Sequence, residues 1–201
     1  MKKSMIIRIS VMVTVILMTI AVALAAEQKK KRPSTYIEAY GGVFIPLGDW
    51  LEAGWKPYEN IEMALGYHFL PFLALEGGFH HFRTKFEQTS PYYVGQHLIA
   101  NGIVLAPRLI YPFKRFELYL GAGTGYYWIE NGVAYNTGLS AGYYVNHDSI
   151  WGFHALAGAA FDIIRWLYIG LEGKYIILFN FLDSANITGG AVTLGIGFRF
   201  L

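Results

Sequence analysis

The chain has 201 residues with no cysteine, 54% apolar residues, 17% aromatics and 23 glycines. Its length suits one domain, and the lack of cysteine excludes a disulfide framework. The formal charge of +2 is set by the first residues. Removing Lys2, Lys3 and Arg8 leaves 13 basic residues against 14 acidic, a charge of −1, and no basic stripe remains for nucleic acid.

Those first residues read as an export signal. Lys2, Lys3 and Arg8 form a positive start, Ile9 to Leu24 an apolar run, and Ala23-Leu24-Ala25 places small residues at the −3 and −1 positions of a cleavage site. The run is short for a spanning helix. The predicted division is a signal peptide over 1–25, a periplasmic arm over 26–34 and one domain over 35–201. In the arm, Lys29-Lys30-Lys31-Arg32 is a solvated charge run that can touch anionic lipid. Beyond the signal no stretch of 18 uninterrupted apolar residues occurs, so the apolar content is distributed rather than helical.

Three tight turns divide the rest: Leu70-Pro71-Phe72-Leu73, Pro112-Phe113-Lys114-Arg115 and Ile163-Ile164-Arg165-Trp166. Alternating runs flank each, giving eight predicted strands over 35–46, 61–69, 73–86, 98–111, 116–129, 150–162, 167–178 and 189–201. Polar stretches rich in Gly, Asn, Ser, Asp and Tyr predict longer loops over 47–60, 87–97, 130–149 and 179–188. A loose repeat of aromatic, turn and aliphatic alternation begins at 66, 108 and 158. With two strands per period it fits hairpins of a meander better than propeller blades.

Strand parity defines the surface, since alternate residues share a face. Leu167, Ile169, Leu171, Tyr175 and Ile177 oppose Tyr168, Gly170, Glu172, Lys174 and Ile176. Ile61, Met63, Leu65, Tyr67 and Phe69 oppose Glu62, Ala64, Gly66 and His68, and Ile103, Leu105 and Leu109 oppose small residues and Arg108. A soluble barrel would turn the bulky face inward. Here the charged face is the one carrying glycine and alanine, suited to a crowded interior. Phe69, Phe72, Tyr111, Phe113, Phe116, Phe161, Trp166 and Tyr168 gather at the short turns, as an interfacial girdle does. The pattern predicts an all-β fold, an eight-stranded antiparallel up-and-down transmembrane β-barrel, closed because lipid cannot satisfy an open edge.

The last stretch, "TLGIGFRFL", fits that closure, because a final strand paired with the first needs nothing after it. Thr193, Gly195, Phe198 and Phe200 also look like the C-terminal assembly signal of bacterial outer-membrane proteins, with Leu201 in place of the usual terminal aromatic. Together with "YGGVFIPLGDW" and "GYHFLPFLALEGG", this resembles the outer-membrane β-barrel superfamily with OmpA-like, porin-family small barrels. The resemblance implies a Gram-negative outer-membrane protein with short periplasmic turns and long extracellular loops; because the predicted barrel runs to residue 201, no C-terminal peptidoglycan-binding domain is expected. It implies no single function. Its implied partners are outer-membrane lipid and lipopolysaccharide, the barrel-assembly machinery and an extracellular ligand or host surface.

Three groups of residues are candidates for function. Inward parity collects Glu38, Glu62, Glu76, Arg108, Glu172, Lys174 and Arg199, with His68, His80 and His154. Buried charges of mixed sign should pair into a plug, because unpaired buried charge is costly; a rearranging gate is the alternative. The loop aromatics Trp50, Trp55, Tyr58, Tyr92, Tyr93, Tyr135, Tyr143 and Tyr144 sit among small polar residues, a composition suited to an adaptable binding surface. The third group, His147-Asp148-Ser149 with Glu172, matches the His-x-Ser pair and carboxylate of outer-membrane lipid A deacylases. Adjacent His80 and His81 face opposite ways, so no metal set or cofactor motif emerges. The resulting expectation is a non-enzymatic barrel with an envelope-structural role and surface recognition through its loops. The alternatives are a narrow channel for small or hydrophobic solutes and a lipid A-modifying enzyme.

Overall fold

A computed structural model of the chain describes residues 35–86, 93–136, 141–181 and 185–200; the predicted signal and arm lie outside them. The described elements are β1 (Thr35–Pro46), a one-turn helix α1 (Asp49–Glu52), β2 (Trp55–Lys56), β3 (Tyr58–Leu70), β4 (Leu73–Phe86), β5 (Tyr93–Phe113), β6 (Phe116–Asn136), β7 (Ala141–Ile164), β8 (Leu167–Phe181) and β9 (Ala185–Phe200). All pairings are antiparallel. Each long strand pairs with the next, and β9 returns to β1 from Thr35↔Phe200 to Pro46↔Gly189. The two-residue β2 rides on the end of β4. The ring is therefore an eight-stranded up-and-down barrel, and its closure satisfies the edges that lipid would leave unpaired.

The three predicted turns join β3 to β4, β5 to β6 and β7 to β8. At the second, Lys114 takes φ 57°, the left-handed conformation that tight hairpins use. These turns lie at the end where β1 starts and β9 finishes, the turn end; the opposite end is the loop end.

The loop end differs from expectation. Residues 130–149, expected as a loop, are mostly paired strand: β6 and β7 stay in register from Ile129↔Asp148 through Val133↔Tyr144 to Asn136↔Ala141. Gly, Asn and Ser suggest a loop by composition, but Tyr and Val facing one another across the hairpin support a pleated pair. β5 keeps pace as far as Tyr93↔Tyr135, whereas the β7–β8 register begins at Gly152↔Leu178. Strands β5, β6 and β7 thus continue beyond the β7–β8 pairing, with β4 alongside β5 as far as Phe86↔Gln96. On β7 this extension is 11 residues long, about 35 Å of strand. The expected 47–60 loop likewise contains α1, β2 and the start of β3.

The apolar face points outward, as parity predicts. Leu194 is 66% exposed, Ile103 60% and Leu65 58%, while Glu62, Glu172 and Glu76 are buried. Phe69, Phe113, Phe116, Trp166, Phe198 and Phe200 are exposed at the turn end. A second outward aromatic group lies toward the loop end, where Tyr126 meets Trp128 and Trp151 edge-on. Tyr168, assigned to the girdle from its position in the chain, is instead buried in the lumen. Its inward parity with Glu172 decides its direction, and proximity to the turn does not.

Candidate functional site

The lumen is filled in layers. Nearest the turn end, Arg199 on β9 bonds Glu117 of β6 at 2.7 Å and also Asp162 of β7, and stacks on Tyr168 with its guanidinium carbon 4.2 Å from the ring centre. The next layer centres on Arg108 of β5. Its Nη1 lies 2.7 Å from Glu38 on β1, and its Nη2 lies 2.8 Å from Glu76 on β4 and 2.9 Å from Glu172 on β8. Between the two arginines remains a cavity of about 20 Å³, room for about one water molecule.

Tyrosines complete the carboxylates. Tyr36 donates to Glu76 at 3.1 Å, while Tyr168 and Tyr40 donate to Glu38 at 2.8 and 3.3 Å. Above, Lys174 of β8 bonds Glu62 of β3 and lies 3.4 Å from Glu172, so the two cationic centres share one carboxylate. His80 then hydrogen-bonds Asn60 and Tyr127. Four glutamates are thus gathered around Arg108 and Lys174, and hydroxyl donors hold part of the surplus negative charge.

The loop-end half of the lumen is apolar. Phe44, Phe82, Leu98, Val104, Tyr127, Ile129, Ile150, Ile176, Leu178 and Ile187 form one buried cluster, with Phe44 and Phe82 stacked at 4.2 Å. Trp55 closes it, and Trp50 packs against it while donating from Nε1 to the Asn186 carbonyl at 2.9 Å. These two tryptophans, expected on an exposed loop surface, are the cap of the core. Short α1 and β2 fold inward because burying two indoles removes a large apolar area from water.

The seven charged residues selected by parity converge in this lumen. Their partners Tyr36, Tyr40, Tyr119, Glu117, Asp162 and Asn60 were not singled out, although their inward parity marked them equally. Of the loop aromatics, Tyr135, Tyr143 and Tyr144 are exposed on the extended β6–β7 hairpin, with Tyr144 at 62%. Tyr143 stacks on His97, and its hydroxyl lies 2.9 Å from His97 Nε2. Tyr58 lies beneath Arg83 and Lys85. Tyr92 and the Tyr93 side chain lie outside the described residues.

The His147-Asp148-Ser149 group is not assembled with Glu172. His147 and Ser149 are exposed on the outward face of β7, while Glu172 is buried inside and pairs with Gly158. That pairing lies 11 residues along β7 from His147, about 35 Å. His80 and His97 lie apart in the register, His80 pairing with Gly102 and His97 with Lys85. Among the described residues no three His, Asp or Glu are placed to hold a metal ion. The C-terminal stretch seals the ring: Thr193 is buried, Gly195 lies against the Tyr40 ring, and Phe198 and Phe200 face outward.

An apolar exterior banded by aromatics, a closed antiparallel ring and a charged, packed interior together define a transmembrane β-barrel. The family profile of the outer membrane protein beta-barrel domain matches residues 13–200, and the chain belongs to that family; it is a protein of the bacterial outer membrane. Among solved structures it is similar to Neisserial surface protein A, at 13% identity and TM-score 0.57 over 83% of this chain and 97% of that one. It is similar to Ail, the attachment invasion locus protein of Yersinia pestis, at 17% identity and TM-score 0.54 over 85% and 100%. A third likeness is OprG of Pseudomonas aeruginosa, at 12% identity and TM-score 0.53 over 84% and 97%. These likenesses establish the fold. No curated protein sequence matches the chain significantly.

Proposed function

We propose that the chain is a non-enzymatic outer-membrane barrel whose ring strengthens the envelope and whose β5–β6–β7 extension recognises an extracellular ligand or host surface. The observation that supports this is the exposure of Tyr135, Tyr143 and Tyr144 on strands already held in register above the ring. Tyr offers a large contact area with few rotatable bonds, and a prepaired sheet loses little freedom on binding. The packed lumen favours this reading over a channel, because arginine, lysine and aromatic layers occupy the path a solute would take. The fold likeness to an attachment invasion locus protein is compatible with the reading and does not carry it.

The test is display of the chain on a heterologous Gram-negative host and measurement of adherence to matrix proteins and epithelial cells. Adherence above the empty host, lost in Tyr143→Ala/Tyr144→Ala while the barrel keeps its heat-modifiable mobility on a gel, is the expected result. Equal adherence by wild type, variant and empty host would reject it.

A further inference from the structure

The wall of the barrel has an interrupted seam between β5 and β6. These strands pair from Gly95↔Ala134 to Leu105↔Thr124 and again from Arg108↔Gly121 to Phe113↔Phe116. The two positions between, Ala106 opposite Gly123 and Pro107 opposite Ala122, are skipped. The register is the same on both sides, so no residue is inserted there. Among the described residues the other seams of the ring are continuous apart from shifts at their ends. Proline supplies the cause: it has no N–H, and the Ala122 carbonyl opposite it loses its ladder bond. One lost bond accounts for both skipped positions, because neighbouring pairs of an antiparallel ladder share their bonds.

The gap lies deep in the membrane. Ala122 is 6 residue steps from Phe116, the turn-end start of β6. At about 3.3 Å per step and a strand tilt near 40°, this puts it roughly 15 Å above the turn end, inside an apolar band about 25 Å tall. Hydrocarbon cannot satisfy the freed carbonyl, and leaving it unpaired is costly. Over the gap the outer wall is hollowed: Leu105, Phe153, Tyr175 and Ile177 stand around a floor of Ala122, Gly123 and Ala155, bounding about 500 Å³. That is the size of a ligand pocket. Pro107 and Ala122 both line the groove, so the unpaired oxygen lies at its floor. Thr124 adds a second acceptor, because its hydroxyl donates to the Gly152 carbonyl at 3.0 Å and its oxygen is left to accept. His154 borders the same groove, its ring buried against Gly123, and neither ring nitrogen has a hydrogen-bond partner among the described residues. Apolar walls thus surround one spot of uncommitted polar atoms.

We propose that this groove binds a lipid-soluble molecule carrying a hydroxyl donor, with its apolar body against Leu105, Phe153 and Ile177 and its hydroxyl on the Ala122 carbonyl. Inside hydrocarbon a single such bond discriminates well, because neither lipid chains nor bulk water compete for the acceptor. The donor sets the ligand apart from ordinary acyl chains, which can fill the groove but leave the carbonyl unpaired. The ligand stays on the outer wall, so the site needs no passage through the packed lumen. It is also independent of the surface recognition proposed for the β6–β7 hairpin.

The test uses the refolded barrel in phosphatidylcholine nanodiscs and a hexadecanol bearing a mid-chain diazirine. Light fixes the probe where it sits, and mass spectrometry of peptides locates the label. In the wild type, label is expected to concentrate on the groove residues of β5 to β8. Excess hexadecanol should displace it about tenfold more effectively than its methyl ether, which keeps the chain and loses the donor. Pro107→Val returns an N–H to the seam and gives the Ala122 carbonyl its ladder partner, so alcohol and ether should then compete equally. Ala155→Phe fills the groove and should remove the label there. Equal competition by alcohol and ether in the wild type overturns the proposal, whether or not either variant folds. So does a donor preference that persists in Pro107→Val, undiminished label in Ala155→Phe, or label spread evenly around the barrel.

Discussion

Arg108 and Glu172 stand three strands apart around the ring, on β5 and β8, yet their side chains meet at 2.9 Å. The same guanidinium reaches Glu38 three strands away in the other direction and Glu76 on the neighbouring strand. One side chain thus ties four strands together across the lumen. Removing it would leave three buried carboxylates without their shared cation. Arg108→Ala is therefore expected to destabilise the barrel by roughly 3–5 kcal/mol. Urea unfolding in lipid vesicles, followed by tryptophan fluorescence, measures this. A loss below about 1 kcal/mol would mean that the carboxylates are compensated without Arg108.

The lumen tyrosines require close backbone approach at specific glycines. A side chain at Gly66 would meet the Tyr36 ring, which its bond to Glu76 holds in place. Gly66→Ala is expected to cost about 1–3 kcal/mol by overpacking. Gly173 gives the contrast: its nearest neighbour, the Ala157 carbonyl, lies at 3.9 Å, so Gly173→Ala should leave the unfolding midpoint nearly unchanged. If both variants behave alike, the tyrosine can move aside and the glycine is not required for packing.

The interior was legible in the sequence because a period of two admits only two faces, and one of them carried every charged residue of the network. Glu38, Arg108 and Glu172 could be assigned inward without knowing which would meet. Their pairing depends on the order of strands around the ring and on register, which no single strand encodes. The Tyr168 misassignment shows the same limit in reverse: nearness to a turn suggested a girdle, while its parity with Glu172 already placed it inside. The loop end was less legible. Trp50 and Trp55 lie in a glycine-bearing stretch with no period, and only the exposed mouth of an apolar lumen explains why they fold inward. Residues 130–149 read as a loop by composition because cross-strand complementarity, such as Val133 with Tyr144, appears only once the hairpin is in register.

The packed loop-end half makes a specific electrical prediction. The wild-type barrel should show no discrete conductance steps in a planar bilayer. Trp55→Ala should cost about 3 kcal/mol and still remain silent, because Phe44 and Phe82 stack at 4.2 Å within the same cluster. Discrete steps from the wild type would retire the sealed-lumen reading. Steps from Trp55→Ala alone would make the tryptophan cap, and not the apolar layer, the seal.

The closing strand separates assembly from stability. Phe200 pairs with Thr35 and faces outward, 53% exposed, where its ring contributes to the turn-end girdle and not to the lumen. On insertion scales the membrane favours Phe by only about 0.3–0.6 kcal/mol, so Phe200→Ala should lower the equilibrium stability of the refolded barrel by less than about 1 kcal/mol. If residues 193–200 also serve as the signal read by the barrel-assembly machinery, the same variant should accumulate several times less folded protein in the outer membrane of cells. Quantifying heat-modifiable barrel in isolated membranes, beside unfolding of the purified variant, distinguishes the roles. Equal yield in cells would leave Phe200 as a girdle residue only, while a large loss in both measurements would mean that its contribution is to the folded ring itself.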